Sequence, residues 1–181
     1  PGLFDFAAEM NEGIRAADTV AITVSAKSGV KVGAKKAYAE AVKQGKSKMF
    51  IVTKIDDKDA NFFNVLTELK TVFGPTVCPI VVPVLKDGEI VAYVNLIEMK
   101  AYKYDESGKA VEADFPTSEI SDKIEYRIDG LLGAISEAVA ETSDERMEKF
   151  FEGEQFTQKE LIDGIHDGMN RGIITPVICT S

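Results

Sequence analysis

Met49-Phe50-Ile51-Val52-Thr53, a continuous apolar run closing on a threonine, is the stretch on which the fold turns. Apolar residues in an unbroken row suit a strand covered on both faces, as in a parallel sheet flanked by helices. Just upstream, Gly45 offers a helix stop, and before it Ala34 to Gln44 carries Ala37, Tyr38, Ala41 and Val42 at helical spacing. Further back, Thr19 to Val24 is another β-branched apolar run, and Phe6 to Arg15 reads as a short helix. Downstream of Thr53, a loop leads to Asn61 and an amphipathic helix on Phe62, Val65, Leu66, Leu69 and Phe73, stopped by Gly74-Pro75. Strand, helix, strand, helix is the rhythm of βαβ units, so the expected class is α/β with a parallel sheet.

The texture then changes. Cys78 to Tyr104 reads as successive strands, with Lys86-Asp87-Gly88 as a hairpin turn and Asp105-Glu106-Ser107-Gly108 as the next turn. Ile120, Ile124, Ile128, Leu131, Leu132, Ile135 and Val139 mark one face of a long helix, and two shorter helices follow, the second opened by the capping box Thr157/Glu160. Ile173 to Cys179 returns to a short β-like run. The expected organisation is a parallel sheet with helices over 1–74, an inserted α+β subdomain over 75–172, and a returning strand over 173–181. No Ser/Gly linker separates the parts, so the insertion is expected to pack on its parent.

With 181 residues the chain can bury a sizeable core, and 45% hydrophobic and 28% charged residues are ordinary for a globular domain. A net charge of -9 excludes a generic nucleic-acid-coating protein, which needs clustered Lys and Arg. No apolar run is long enough to span a bilayer and no signal segment opens the chain. Cys78 and Cys179 lie in β-like stretches without a second Cys or His at metal-ligand spacing, which reads as buried free thiols in a reducing cytoplasm. His166 lacks a partner ligand in the same way, and Glu137, Glu141, Asp144 and Glu145 read as a solvated face at helix ends. Lys43 to Lys48 reads as a charged loop before a strand. An opening Pro1-Gly2 without Met suggests a chain cut from something longer.

Thr53-Lys54-Ile55-Asp56 carries the chemistry, because ligands of open parallel sheets bind just beyond the carboxyl ends of the strands. An Asp there can accept two hydrogen bonds from the N1 and N2 edge of guanine, and a Lys stem can lie across the base. The tetrapeptide resembles the Asn-Lys-x-Asp guanine-specificity motif of GTPases. Its context is more telling. Pro1-Gly2-Leu3-Phe4-Asp5-Phe6 resembles the Asp-x-Pro-Gly-His-x-Asp-Phe signature of translation-factor GTPases, and Gly13 to Asp18 and the Ser25 to Val30 loop follow in order and spacing. Phe73-Gly74-Pro75, Pro79 and Pro83, Met99 to Tyr102, Ala138 to Thr142, Phe151 to Glu154 and Thr175-Pro176-Val177 match the insertion that sets bacterial elongation factor G apart from elongation factor Tu.

The resemblance to elongation factor G covers essentially the whole chain. It implies a partial GTPase domain that uses GTP or GDP with magnesium in its full-length parent, with no nucleotide expected on the fragment alone. It implies nucleotide-binding roles for Gly2, for Thr53, Lys54 and Asp56 at the guanine motif, and for Thr180 and Ser181 at the family's Gly-Ser-Ala loop. It implies a cytoplasmic, monomeric partner of the ribosome whose inserted subdomain faces the stalk base. Leu3 stands at the position of the family's water-orienting His, Thr53 at its Asn and Thr180 at its Gly. A leucine cannot hydrogen-bond to water, so no catalytic residue is expected here. The phosphate-cradling pattern Gly-x-x-x-x-Gly-Lys-Ser/Thr does not occur in the chain. Two functions stay open: a GTP-driven translocase, or a ribosome-binding regulatory, protection or release-factor-like paralogue with weak or no hydrolysis.

Overall fold

The computed structural model describes residues 5–86, 89–105, 107–116 and 126–180. Gly2, Leu3, Ser181, the Asp87-Gly88 turn, and Ile120 and Ile124 of the expected long helix lie outside the described residues.

The first half alternates as its periodicity dictates: α1 (Ala7–Ala16), β1 (Thr19–Ser25), α2 (Val32–Lys43), β2 (Ser47–Thr53), α3 (Phe62–Phe73) and β3 (Val77–Pro79). β1 and β2 pair in parallel from Thr19↔Ser47 to Ser25↔Thr53. Gly45 adopts φ 64 in the turn after α2, a left-handed conformation a side chain resists. Asn61 caps α3 by accepting the amide of Asn64 at 2.9 Å. Tyr38 of α2, Phe50 of β2 and Phe73 of α3 form one aromatic cluster, with ring centroids 4.5–5.7 Å apart, that fastens both helices to the sheet.

The second half contains β4 (Val81–Lys86), β5 (Glu89–Asn95), β6 (Lys100–Tyr104) and β7 (Ala110–Ala113), then α4 (Ile128–Ala140), α5 (Asp144–Phe151), α6 (Gln158–Asn170) and β8 (Thr175–Cys179). The four strands β4 to β7 make an antiparallel sheet in chain order. β8 returns to the parallel sheet, whose order is β1-β2-β8-β3. A mixed α/β fold with a parallel sheet, helices and an antiparallel unit is therefore present.

Residues 77–79 fall beyond the expected boundary at 75, yet Val77–Pro79 pairs in parallel with Thr175–Val177. The chain leaves the parallel sheet only at Ile80. That residue joins the two sheets, its amide donating to Val177 O at 2.8 Å and its carbonyl accepting the Leu96 amide at 2.9 Å. One buried cluster runs through both, from Phe50, Val52 and Leu66 to Val82, Val94, Leu131 and Ile135. Tyr126, 2% exposed, stacks on Phe63 of α3 and shares a 2.7 Å hydrogen bond with Thr67.

Lys48 corrects the reading of Lys43 to Lys48 as a charged loop. It stands inside β2, 4% exposed, with its ammonium 5.3 Å from the Tyr38 ring centroid. The aliphatic stem lies in the core while the ring face takes the charge.

Candidate guanine-base site

Three adjacent parallel strands end level with one another. Ser25 of β1 is opposite Thr53 of β2, and Val52 is opposite Cys179 of β8. The next residues extend the ladders, as Ala26 N donates to Thr53 O at 2.8 Å and Thr180 N donates to Val52 O at 2.9 Å. The residues expected to read a base thus emerge from one sheet edge.

Beyond Thr53 the chain turns sharply. Lys54 adopts φ 57, a left-handed conformation that is strained for a side chain with a Cβ. The turn throws Lys54 outward, buries Ile55 at 6% exposure, and throws Asp56 outward again. Ile55 is the anchor that keeps the two polar neighbours on the surface. The Asp56 carboxylate makes no hydrogen bond or ion pair to another described residue, so both oxygens can accept donors from outside.

Asp57 N then donates to Lys54 O at 3.3 Å, and Ala60 N to Asp57 O at 2.9 Å, closing the loop onto the cap of α3. Lys27, from the loop after β1, reaches Asp57 at 3.0 Å and Asp59 at 3.4 Å. The hydrogen bond to Asp57 raises the Lys27 pKa, and the same bond holds the Asp57 carboxyl below its ordinary range. The Lys27 loop is itself tied down: Ser28 N and Gly29 N donate to Ser25 O, and Val30 N donates to the Glu68 carboxylate at 2.9 Å. Gly29 has φ 67, a conformation strained for any side chain, and a Cβ there would push the Glu68 carboxylate away from Val30 N.

A cleft of about 1460 Å³ separates this edge from the antiparallel sheet. Asp56 and Thr180 both line it, facing Tyr93 and Tyr102 of the opposite wall, whereas Thr53 and Lys54 do not line it. The volume exceeds a usual small-molecule pocket because the cleft is the junction of two units. Cys179 borders it, but burial pushes its thiol up to about 12, so it carries no thiolate at neutral pH.

The exposed Asp56 carboxylate, which no other described residue engages, fits a planar base with paired N–H donors; Thr180 lines the same cleft with its own N–H donated to Val52 O. They do not make a phosphate cradle. Among the described residues no group of three His, Cys, Asp or Glu side chains could hold a metal ion. His166 is exposed, with Asn170 at 3.4–3.5 Å from its ring nitrogens as its partner among the described residues, and Asp167 pairs with Arg146 instead. Among the described residues no helix is long and apolar enough to cross a membrane. Sequence reasoning quoted the Ser25 to Val30 loop but missed the part Lys27 plays. Its partners are thirty residues away and no local pattern marks them.

The family model of the elongation factor Tu GTP binding domain matches residues 1–180. Among solved structures, a crystal structure of a protein from Thermus thermophilus superposes with a TM-score of 0.86 at 32% identity. That alignment covers 100% of this chain and 26% of the solved one, so the chain spans about a quarter of that relative's length.

Proposed function

This chain belongs to the elongation factor Tu GTP-binding-domain family, and from that membership we propose that it is the base-reading part of a ribosome-associated translation factor of the elongation factor G kind. In this reading Asp56 accepts the N1 and N2 donors of guanine, the Lys54 stem covers the base, and Thr180 and Ser181 stand at the positions whose family counterparts meet the guanine carbonyl. Thr53 braces the loop from behind with one hydroxyl where an amide would offer two bonds. Gly2 is a further nucleotide-binding residue in this reading. The phosphate cradle and its magnesium supply charge neutralisation in the full-length parent and are held by residues other than these. The unit of residues 75–172 is a partner-binding module toward the ribosomal stalk, and the parent works as a cytoplasmic monomer.

The observation that carries the proposal is the Asp56 carboxylate, turned outward by the Lys54 turn, unengaged, and sharing a cleft with Thr180. The test is Asp56→Asn in the full-length parent. An amide that accepts from one guanine donor must present its own N–H to the other, a mismatch of about 2 kcal/mol or more, roughly thirtyfold in affinity. GDP binding should weaken by that factor while xanthosine diphosphate binding improves. Unchanged GDP affinity would remove Asp56 from the base site.

Leu3 favours a second reading of the parent's activity. With an apolar side chain where the family places a water-orienting His, the parent is a nucleotide-dependent ribosome binder that hydrolyses GTP slowly.

A further inference from the structure

We propose that Lys27 is a positioning residue for guanine recognition: its ammonium, gripping Asp57 and Asp59, sets the loop that presents Asp56. The inference rests on the assignment of Asp56 as the base reader.

The loop from Thr53 to Asn61 is held at three places by two consecutive residues of another segment. At its entry, Thr53 O accepts the Ala26 amide at 2.8 Å; at its exit, the Asn61 amide donates to Ala26 O at 3.3 Å. Between these points the loop's own bonds are few, and Lys27 spans the gap, 3.0 Å from Asp57 and 3.4 Å from Asp59. Asp57 passes the grip on, its carboxylate also accepting the Asp59 amide at 3.4 Å. The anchor is firm at its own base, where the Ser25 turn and the Glu68 bond to Val30 N hold the backbone on either side of Lys27.

Charge makes the grip necessary. Asp56, Asp57 and Asp59 outnumber Lys54 and Lys58 in one turn, and their carboxylates repel one another. Lys27 is the cation bonded to two of them. Lys54 also bears on Asp57, but only through space and as the weakest of the influences on it. Without Lys27 the turn that follows Asp56 loses its cross-link, and the carboxylate no longer meets both base donors at once. The pairs are solvent-accessible, with side chains 47%, 31% and 73% exposed for Lys27, Asp57 and Asp59, so the effect is modest and salt-sensitive.

The experiment measures Kd for GDP and inosine diphosphate, which lacks the N2 amine, in the full-length parent. Lys27→Ala should weaken GDP about threefold to fivefold and inosine diphosphate less, narrowing the preference between them. Lys27→Arg should restore it, 0.5 M salt should shrink the difference on the order of twofold, and Lys27→Ala with Asp57→Asn should be no weaker than Lys27→Ala alone. A merely structural role would weaken both nucleotides equally. That outcome, or no weakening, or an arginine variant as poor as alanine, overturns the proposal. Asp56→Asn runs alongside. If it leaves guanine preference intact, the base-site reading itself has failed; if it destroys the preference while Lys27→Ala preserves it, only the positioning role has.

Discussion

Gly168→Ala offers the sharpest test of how α6 seats the second half of the chain on β8. Gly164 and Gly168 are the two buried residues of α6 and lie one turn apart on the same face. A Cβ on Gly168 would lie 2.6 Å from both Cδ1 and Cγ1 of Ile174 and 3.0 Å from its Cβ, so moving the end of that side chain does not relieve the clash. Ile174 is 0% exposed, so it cannot yield by swinging into solvent. Overpacking of this kind costs typically 1–3 kcal/mol, while alanine in place of glycine inside a helix returns about 1 kcal/mol. The net expectation is destabilisation of up to about 2 kcal/mol. Gly164→Ala presses on the Val139 methyls at 2.5 and 3.2 Å and should behave alike. Gly133 is the control: it sits inside α4 with nothing within 4 Å of its Cβ position, so Gly133→Ala should stabilise by up to about 1 kcal/mol. Urea unfolding followed by circular dichroism reads all three. Gly168→Ala should fall clearly below Gly133→Ala in stability, and a Gly168→Ala protein stabilised as much as Gly133→Ala would refute the close seating of α6.

Three further outcomes are expected. Asn61→Ala removes the cap of α3 at the exit of the base-reading loop and should cost about 1 kcal/mol in the same unfolding assay. Glu160 is held at about 2, below its ordinary 4.5, first by Lys149 and then by the amide and hydroxyl of Thr157. A carboxyl depressed by folding stabilises above its unfolded pKa and loses that contribution as pH falls through the folded value. The melting-temperature gap between wild type and Glu160→Gln should therefore be fully open above about pH 4.5 and close toward pH 2. Leu3→His in the full-length parent should raise ribosome-stimulated single-turnover GTP hydrolysis at least roughly tenfold, about 1.4 kcal/mol of barrier; a wild type already fast, with no gain from His, would leave the slow-hydrolysis reading without support.

Local chemistry in the chain determined the order and kind of most elements. The apolar run at Met49–Val52, the helical spacing across α2 and α3, the Gly45 stop and the Thr157/Glu160 box each act within a few residues, and each stands where its pattern placed it. The strand end at Thr53 was marked for the same reason, since a buried strand must end where polar residues begin, and it places the loop proposed to read the base. Tertiary structure decided what those patterns touch. Periodicity says which face is apolar but not what covers it, so only the pairing of Val77–Pro79 with Thr175–Val177 assigns β3 to the parallel sheet. Lys48 reads as loop in sequence because its charge is local information, while the Tyr38 ring that accepts it comes from another element. Gly164 and Gly168 look like helix defects until Val139 and Ile174 occupy the space their side chains would fill. At the site, the role proposed for Asp56 follows from its place after a strand, which a local pattern shows, whereas the role proposed for Lys27 depends on Asp57 and Asp59, brought near by the parallel pairing of β1 with β2.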